Sequence, residues 1–352
     1  MRAQPPSGDG TGRPAHPWPA FVGMALGVAA ALLCVVVGLV AAIDPYGFRA
    51  GPGRAPRPIM DIDARAMYPQ LARSDRFDSA VFGTSTIRLL DPRDLGARLG
   101  GSFANLGLNA GTPWEQLQLA RLFLRHHAAP KTLVMGLDRN WCEPDADRPG
   151  RTLTFRPFPT AFYDENGWND WPELVSLRSI EIAIRVVMNR LGLMPERVRP
   201  DGYENFLPPD ALYDAARAAA HIRAPEAAGT EPGPGRLPAL AWLADFVREL
   251  PAATRLVLLL PPIHVAAQAR PGSGAAAADL ACKARIAMLA ARPGTTIVDY
   301  RMPSALTRDG SRYWDKLHYR QPEAAGIVAS LADAVSTGRD DPNGLYRTIS
   351  GR

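Results

Sequence analysis

Past residue 77 the chain alternates between two hydrophobic patterns. Short apolar runs closed by Gly, Pro or Asp predict strands at 78–83, 102–105, 131–137, 255–260 and 295–298. Longer stretches between and after them repeat apolar positions at helical spacing. The stretch 113–127 opens with Pro113 and Glu115 and then sets Leu117, Ala120 and Leu124 on one face, which predicts a helix start and a core-facing helix. The same pattern predicts helices at 174–191, 238–250, 276–291 and 322–335, and an Ala-rich exposed or frayed helix at 210–224. Strands alternating with helices imply an α/β domain over 77–338, its mainly parallel five-stranded sheet covered on both faces. Residues 139–236 break the alternation. With Trp141, Trp168, Trp171 and many prolines, they predict an inserted lid or subdomain.

Upstream the pattern changes. Residues 20–43 hold no charge, and their 24 residues make about 36 Å of helix, enough to cross a bilayer core. Signal-peptide apolar regions are shorter, so 19–43 is read as an uncleaved transmembrane anchor in preference to a cleaved signal. Residues 1–18 are Pro/Gly-rich and expected to be disordered. The Gly/Pro-dense start of 44–76 predicts a linker, and 339–352 a C-terminal tail. Arginines flank both ends of the apolar stretch almost equally, so charge does not fix orientation. An extracytoplasmic α/β domain is the expectation, and it rests on the domain's chemistry and not on the flanking charges.

Composition narrows the function. The net charge of +5 is spread along the chain without a basic stripe, which argues against nucleic-acid binding. Cys142 and Cys282 could pair in an oxidising compartment, but two buried thiols are the preferred reading; no Cys/His spacing suits a structural metal. Glu143, Asp145 and Asp147 alternate with Pro and Arg and read as a solvated surface. No metal and no cofactor is expected. Neither Gly-x-Gly-x-x-Gly nor Gly-Lys-Ser/Thr follows the first strand, so a nucleotide site is not expected.

The chemistry gathers at predicted strand ends, where ligands collect in a parallel sheet. Gly83-Thr84-Ser85 ends the first strand. GLNAGTP (107–113) follows the second, GLDRNW (136–141) the third, and YWDKLHY (313–319) the fifth. A serine hydroxyl needs a base to accept its proton, and His318 suits that role, with Asp315 to fix the imidazole tautomer. The amides of Ser85, Ala110 and Gly111 are candidate oxyanion donors. Asn109, Asp138, His264 and Trp314 are candidate substrate-facing groups. Ser85 has a second reading, as a hydroxyl capping the following turn, and His318 another, as a satisfied buried histidine.

Taken together, Gly83-Thr84-Ser85, Asn105 with its Gly-containing turn, the polar residues after the third strand and Asp315-Lys316-Leu317-His318 resemble the SGNH (GDSL-like) hydrolase superfamily over roughly 77–137 and 254–336. The resemblance implies a flavodoxin-like three-layer sandwich, Ser85 as nucleophile, His318 as base and an oxyanion hole of Ser, Gly and Asn. Two positions depart from the family. Thr84 stands where the family has Asp, and Gly136-Leu137-Asp138 where it has Gly-x-Asn. Asn140, two residues on, is the candidate replacement donor. Anchored proteins of this type act in O-acetylation of envelope glycans, so the resemblance implies an acylated glycan or other ester as substrate and a multi-span membrane acyl exporter as partner. A degenerate module that binds glycan or a membrane partner without turnover is the alternative, favoured by Asp138.

Overall fold

The computed structural model describes residues 18–50, 53–224 and 235–349, so the disorder expected for the N-terminus lies, up to residue 17, outside the described residues. Helix α1 (Trp18–Ile43) is one unbroken apolar helix, long and apolar enough to cross a membrane. Val40, near its carboxyl end, is its one buried residue.

Residues 44–76 are not a linker. Asp44 accepts the amides of Phe48 and Arg49 and turns the chain straight back onto the domain. The short helices α2 (Ala64–Met67) and α3 (Pro69–Ala72) follow. Ile59, Met60, Met67, Tyr68 and Leu71 are fully buried. The Pro and Gly of 44–58 predict irregular backbone, and the described residues there form neither helix nor strand. The apolar run behind it nevertheless fills core.

The sheet has six strands: β1 (Ser79–Phe82), β2 (Phe103–Asn105), β3 (Thr132–Gly136), β4 (Arg255–Leu260), β5 (Thr295–Asp299) and β6 (Arg347–Ile349). Their order is β2-β1-β3-β4-β5-β6. The first five run parallel, and β6 adds to β5 antiparallel. The sixth strand corrects the expected five and lies in the stretch expected as a tail. Three residues are too short to show alternation, so the pattern could not reveal it.

The remaining helices are α4 (Pro92–Leu99), α5 (Pro113–His126), α6 (Trp171–Leu174), α7 (Leu177–Arg190), α8 (Ala215–Arg223), α9 (Pro238–Glu249), α10 (Gly274–Ala287), α11 (Ala305–Arg308) and α12 (Gln321–Thr337). Because strand side chains alternate, the sheet feeds two cores. Phe82, Leu133, Met135 and Leu258 pack with residues of α5, α7, α9 and α10. Val81, Val134, Val257 and Val298 pack with residues of α4, α8, α11 and α12. Helix α5 starts at a reciprocal cap, Thr112 and Glu115 each accepting the other's amide.

The described residues of 139–236, a range expected as a lid, join both cores. Helix α7 packs on α1 and in the first core, and α8 in the second. Between them the chain runs beside β2, where the Asp201 carbonyl accepts the Asn105 amide. Cys142 and Cys282 are joined in a disulfide, their Cα atoms 5.7 Å apart. This corrects the expectation of two buried free thiols, which rested on two cysteines being too few for a disulfide framework. The bond ties the segment after β3 to α10.

Candidate active site

The site begins with two glycines. Gly83 and Gly136 follow β1 and close β3 side by side, and Ile87 lies across both. A Cβ on either glycine would come within 2.6 Å of the Ile87 side chain. That close approach lets a single 3-10 turn, Ser85–Ile87, fold down over the carboxyl ends of β1 and β3. Ser85 sits at the head of the turn, half-buried.

The base arrives from a small hairpin between β5 and α12. Tyr313 and Tyr319, both buried, bridge antiparallel, and the Trp314 amide donates to the His318 carbonyl. Within this hairpin Asp315 accepts the amides of Leu317 and His318 on Oδ1, at 2.7 and 2.9 Å. Its Oδ2 lies 2.8 Å from His318 Nδ1, and His318 Nε2 lies 2.8 Å from Ser85 Oγ. Burial alone would raise the Asp315 carboxyl. The His318 hydrogen bond and charge, with the two amides, outweigh it and hold the group below its usual range. An ionised Asp315 accepts from Nδ1–H, which leaves Nε2 as acceptor for the serine proton.

Asp138, after β3, does not point a bare charge at the site. Thr84 Oγ1 donates to its Oδ2 at 2.7 Å and Thr86 Oγ1 to its Oδ1 at 2.9 Å. Burial pushes the carboxyl above its usual range, against the pull of those two hydroxyls. Both neighbours of Ser85 are therefore pinned to one carboxylate.

The loop after β2 lies against Ser85, since the Leu108 amide donates to the Gly83 carbonyl. Ala110 takes a left-handed φ of 51°. Gly111, a candidate donor, spends its amide on the Leu108 carbonyl. Asn140 directs its side-chain amide to the Gly111 carbonyl at 3.0 Å, so it braces the loop where a free donor was expected. The amides of Ser85 and Ala110 have no acceptor among the described residues. The Asn109 carbonyl accepts from Arg65 Nη1, and Arg65 pairs with Glu115, both side chains buried. This pair, unforeseen in the sequence, supports the loop from beneath.

Two expected substrate-facing residues part company. His264 is buried; its Nδ1 accepts the Ala266 amide and its own amide holds the Lys316 carbonyl. Burial lowers its pKa, and its ring meets Tyr313 edge-on at 5.5 Å. It ties the β4 end to the His318 hairpin. Trp314 is half-exposed and meets Tyr213 edge-on at 5.3 Å. Phe206 sets its ring edge-on to His318 at 5.5 Å, and Arg88, paired with Glu204, lies over that ring. Phe206 belongs to a stretch with no periodicity, and Tyr213 to the start of the Ala-rich run at 210–224, so no pattern marked either as a site residue. Of the acidic group, Glu143 and Asp145 pair with Arg151, and Asp147 with Arg236.

No protein-family model, no curated protein and no solved structure matches this chain.

Proposed function

We propose that this chain is a serine-dependent acyl-ester enzyme of SGNH type, anchored in a membrane by α1 and acting on O-acyl groups of an envelope glycan. The observation that carries the reading is the continuous hydrogen-bonded chain Ser85–His318–Asp315 at the carboxyl edge of a parallel sheet. The parallel strand order β2-β1-β3-β4-β5 agrees with the flavodoxin-like arrangement that the resemblance implies.

In the proposed mechanism Ser85 Oγ attacks the ester carbonyl carbon while its proton passes to His318 Nε2. Asp315 stabilises the imidazolium. The Ser85 and Ala110 amides receive the oxyanion. Collapse of the intermediate breaks the carbon–oxygen bond to the leaving alcohol, which takes the proton from His318 and leaves an acyl-Ser85. His318 then deprotonates an acceptor hydroxyl, whose oxygen attacks the acyl carbon; the carbon–Oγ bond breaks, and Ser85 Oγ takes the proton back from His318. Water as acceptor gives hydrolysis; a sugar hydroxyl gives transfer. Phe206 beside the His318 ring and Trp314 within the hairpin suit the apolar face of a sugar ring. The Cys142–Cys282 bond favours an oxidising, extracytoplasmic location, where an acyl group would be supplied across the membrane by a multi-span partner.

The test is a fluorophosphonate probe on the purified full chain, with the adduct mapped by mass spectrometry. Labelling of Ser85 that vanishes in His318→Ala supports an activated serine. A binding-only module would leave Ser85 unlabelled in folded protein.

A further inference from the structure

Helix α7 carries two apolar faces. Ile182, Ala183 and Val186 enter the core beside Ser179, whose hydroxyl bonds Tyr46 just past α1. The other face holds Leu177, Ile184 and Leu191, which are 87%, 58% and 65% exposed. Residues seven apart fall on one stripe of a helix, so this row runs about 21 Å along α7 and the residue after it. Trp168 and Trp171, at the head of α6, are also exposed. A row of this length flanked by tryptophans marks an interaction surface, unlike apolar residues scattered singly.

The position of α1 decides what covers it. Twenty-six residues make about 39 Å of helix against a hydrocarbon core of about 30 Å. The surplus falls where Val40 is buried in the domain, so the last turn of α1 stands at the headgroup level. Helices α6 and α7 pack on α1. They are thereby held at that level too. The chemistry fits a lipid interface: tryptophan partitions there, and an amphipathic helix with flanking arginines lies in its plane. Arg190, at the end of α7, and Arg197 are exposed and suit anionic headgroups.

We propose that α6 and α7 form a lipid-facing collar, with Leu177, Ile184 and Leu191 in the bilayer interface and Trp168 at headgroup depth. The inference rests on the reading of α1 as a membrane span. The collar would fix the tilt of the domain on the membrane.

Spin-label accessibility on the full chain in phosphatidylethanolamine–phosphatidylglycerol vesicles tests both readings separately. Cys34 is free and exposed midway along α1, and a nitroxide there reports the span. In a Cys34→Ala background, Ile184→Cys reports the collar, and Asp245→Cys on α9 provides an exposed reference. The expected result is a label at Ile184→Cys that gains oxygen accessibility and loses nickel-chelate accessibility relative to Asp245→Cys. An aqueous signal at Ile184→Cys with a lipid signal at Cys34 overturns the collar and leaves the span standing. An aqueous signal at Cys34 overturns the span, and the collar with it. Shielding at Ile184→Cys in native membranes but not in vesicles overturns the lipid occupant in favour of a protein.

Discussion

Thr84 donates its hydroxyl to Asp138 across 2.7 Å, joining the residue before Ser85 to the end of the neighbouring strand. With Thr86 on the other oxygen, the carboxylate grips the nucleophile turn from both sides. Asp138→Asn keeps the shape but loses an acceptor, so one threonine is released. The expected result is about a tenfold fall in the rate of Ser85 acylation, deepening to roughly a hundredfold in Asp138→Ala, because small misplacements of a reacting group are costly. Stopped-flow or gel-based probe kinetics, with circular dichroism to show an unchanged fold, would measure it. Unchanged rates in both variants would remove Asp138 from the site's support.

Asp315→Asn should slow ester turnover by roughly 10²–10⁴-fold while leaving the fold intact, since an amide cannot hold His318 in the required tautomer. The stability effect has its own sign. A carboxyl whose folded pKa lies below its unfolded value contributes stability above the unfolded value and loses it as pH falls through the folded one. Acid unfolding curves of the native chain and Asp315→Asn should therefore converge at low pH and separate above about pH 4.

The opposite sign applies to Asp170. It is buried, and burial pushes its carboxyl up to about 6. The folded state then holds the proton more tightly than the unfolded one. Its contribution is present below the unfolded pKa and fades as pH rises through about 6. Asp170→Asn should raise the free energy of unfolding at pH 7 by about 1–3 kcal/mol, seen as a higher thermal midpoint, and confer no gain near pH 4. Thermal melts at the two pH values decide it; a gain at both would mean that the effect is not ionisation.

Arg65→Ala leaves the Glu115 carboxylate buried without its cation. Breaking a buried pair on one side costs about 3–5 kcal/mol, and here it also frees the Asn109 carbonyl beneath the Ala110 turn. Denaturant unfolding should show the loss of stability. Acylation by the probe should slow in whatever fraction stays folded.

Replacing Cys142 and Cys282 together with serine opens a loop of 140 residues, and about 3–5 kcal/mol of stability should go with it. Equilibrium unfolding measures the loss, and non-reducing peptide mapping of the native chain should recover the crosslinked pair.

The five parallel strands could be read from the chain because each is a compact apolar run, and strand ends in a parallel sheet gather chemistry whatever the loops do. Ser85, Asp315 and His318 stood out for that reason, two of them within one short loop. Other features had no local signature. Arg65 and Glu115 are 50 residues apart and pair only because α2 tucks beneath α5. Phe206 meets His318 across a segment without periodicity. Asp138 stood out only as a departure from the family pattern, because the threonine hydroxyls that donate to it come from a different strand end. Composition also misled at 44–76, where Pro and Gly describe the backbone but not its burial.

The disulfide has one more consequence. Cys142 and Cys282 bracket α6, α7, α8, α9 and β4, and Ser85 and His318 fall outside the bracket on opposite sides. A protease cut at any single point between the cysteines would leave one covalent molecule, with the serine on one fragment and the histidine on the other. The two halves of the hydrogen-bonded chain would stay tethered through a sulfur bridge, whether or not the main chain between them was whole.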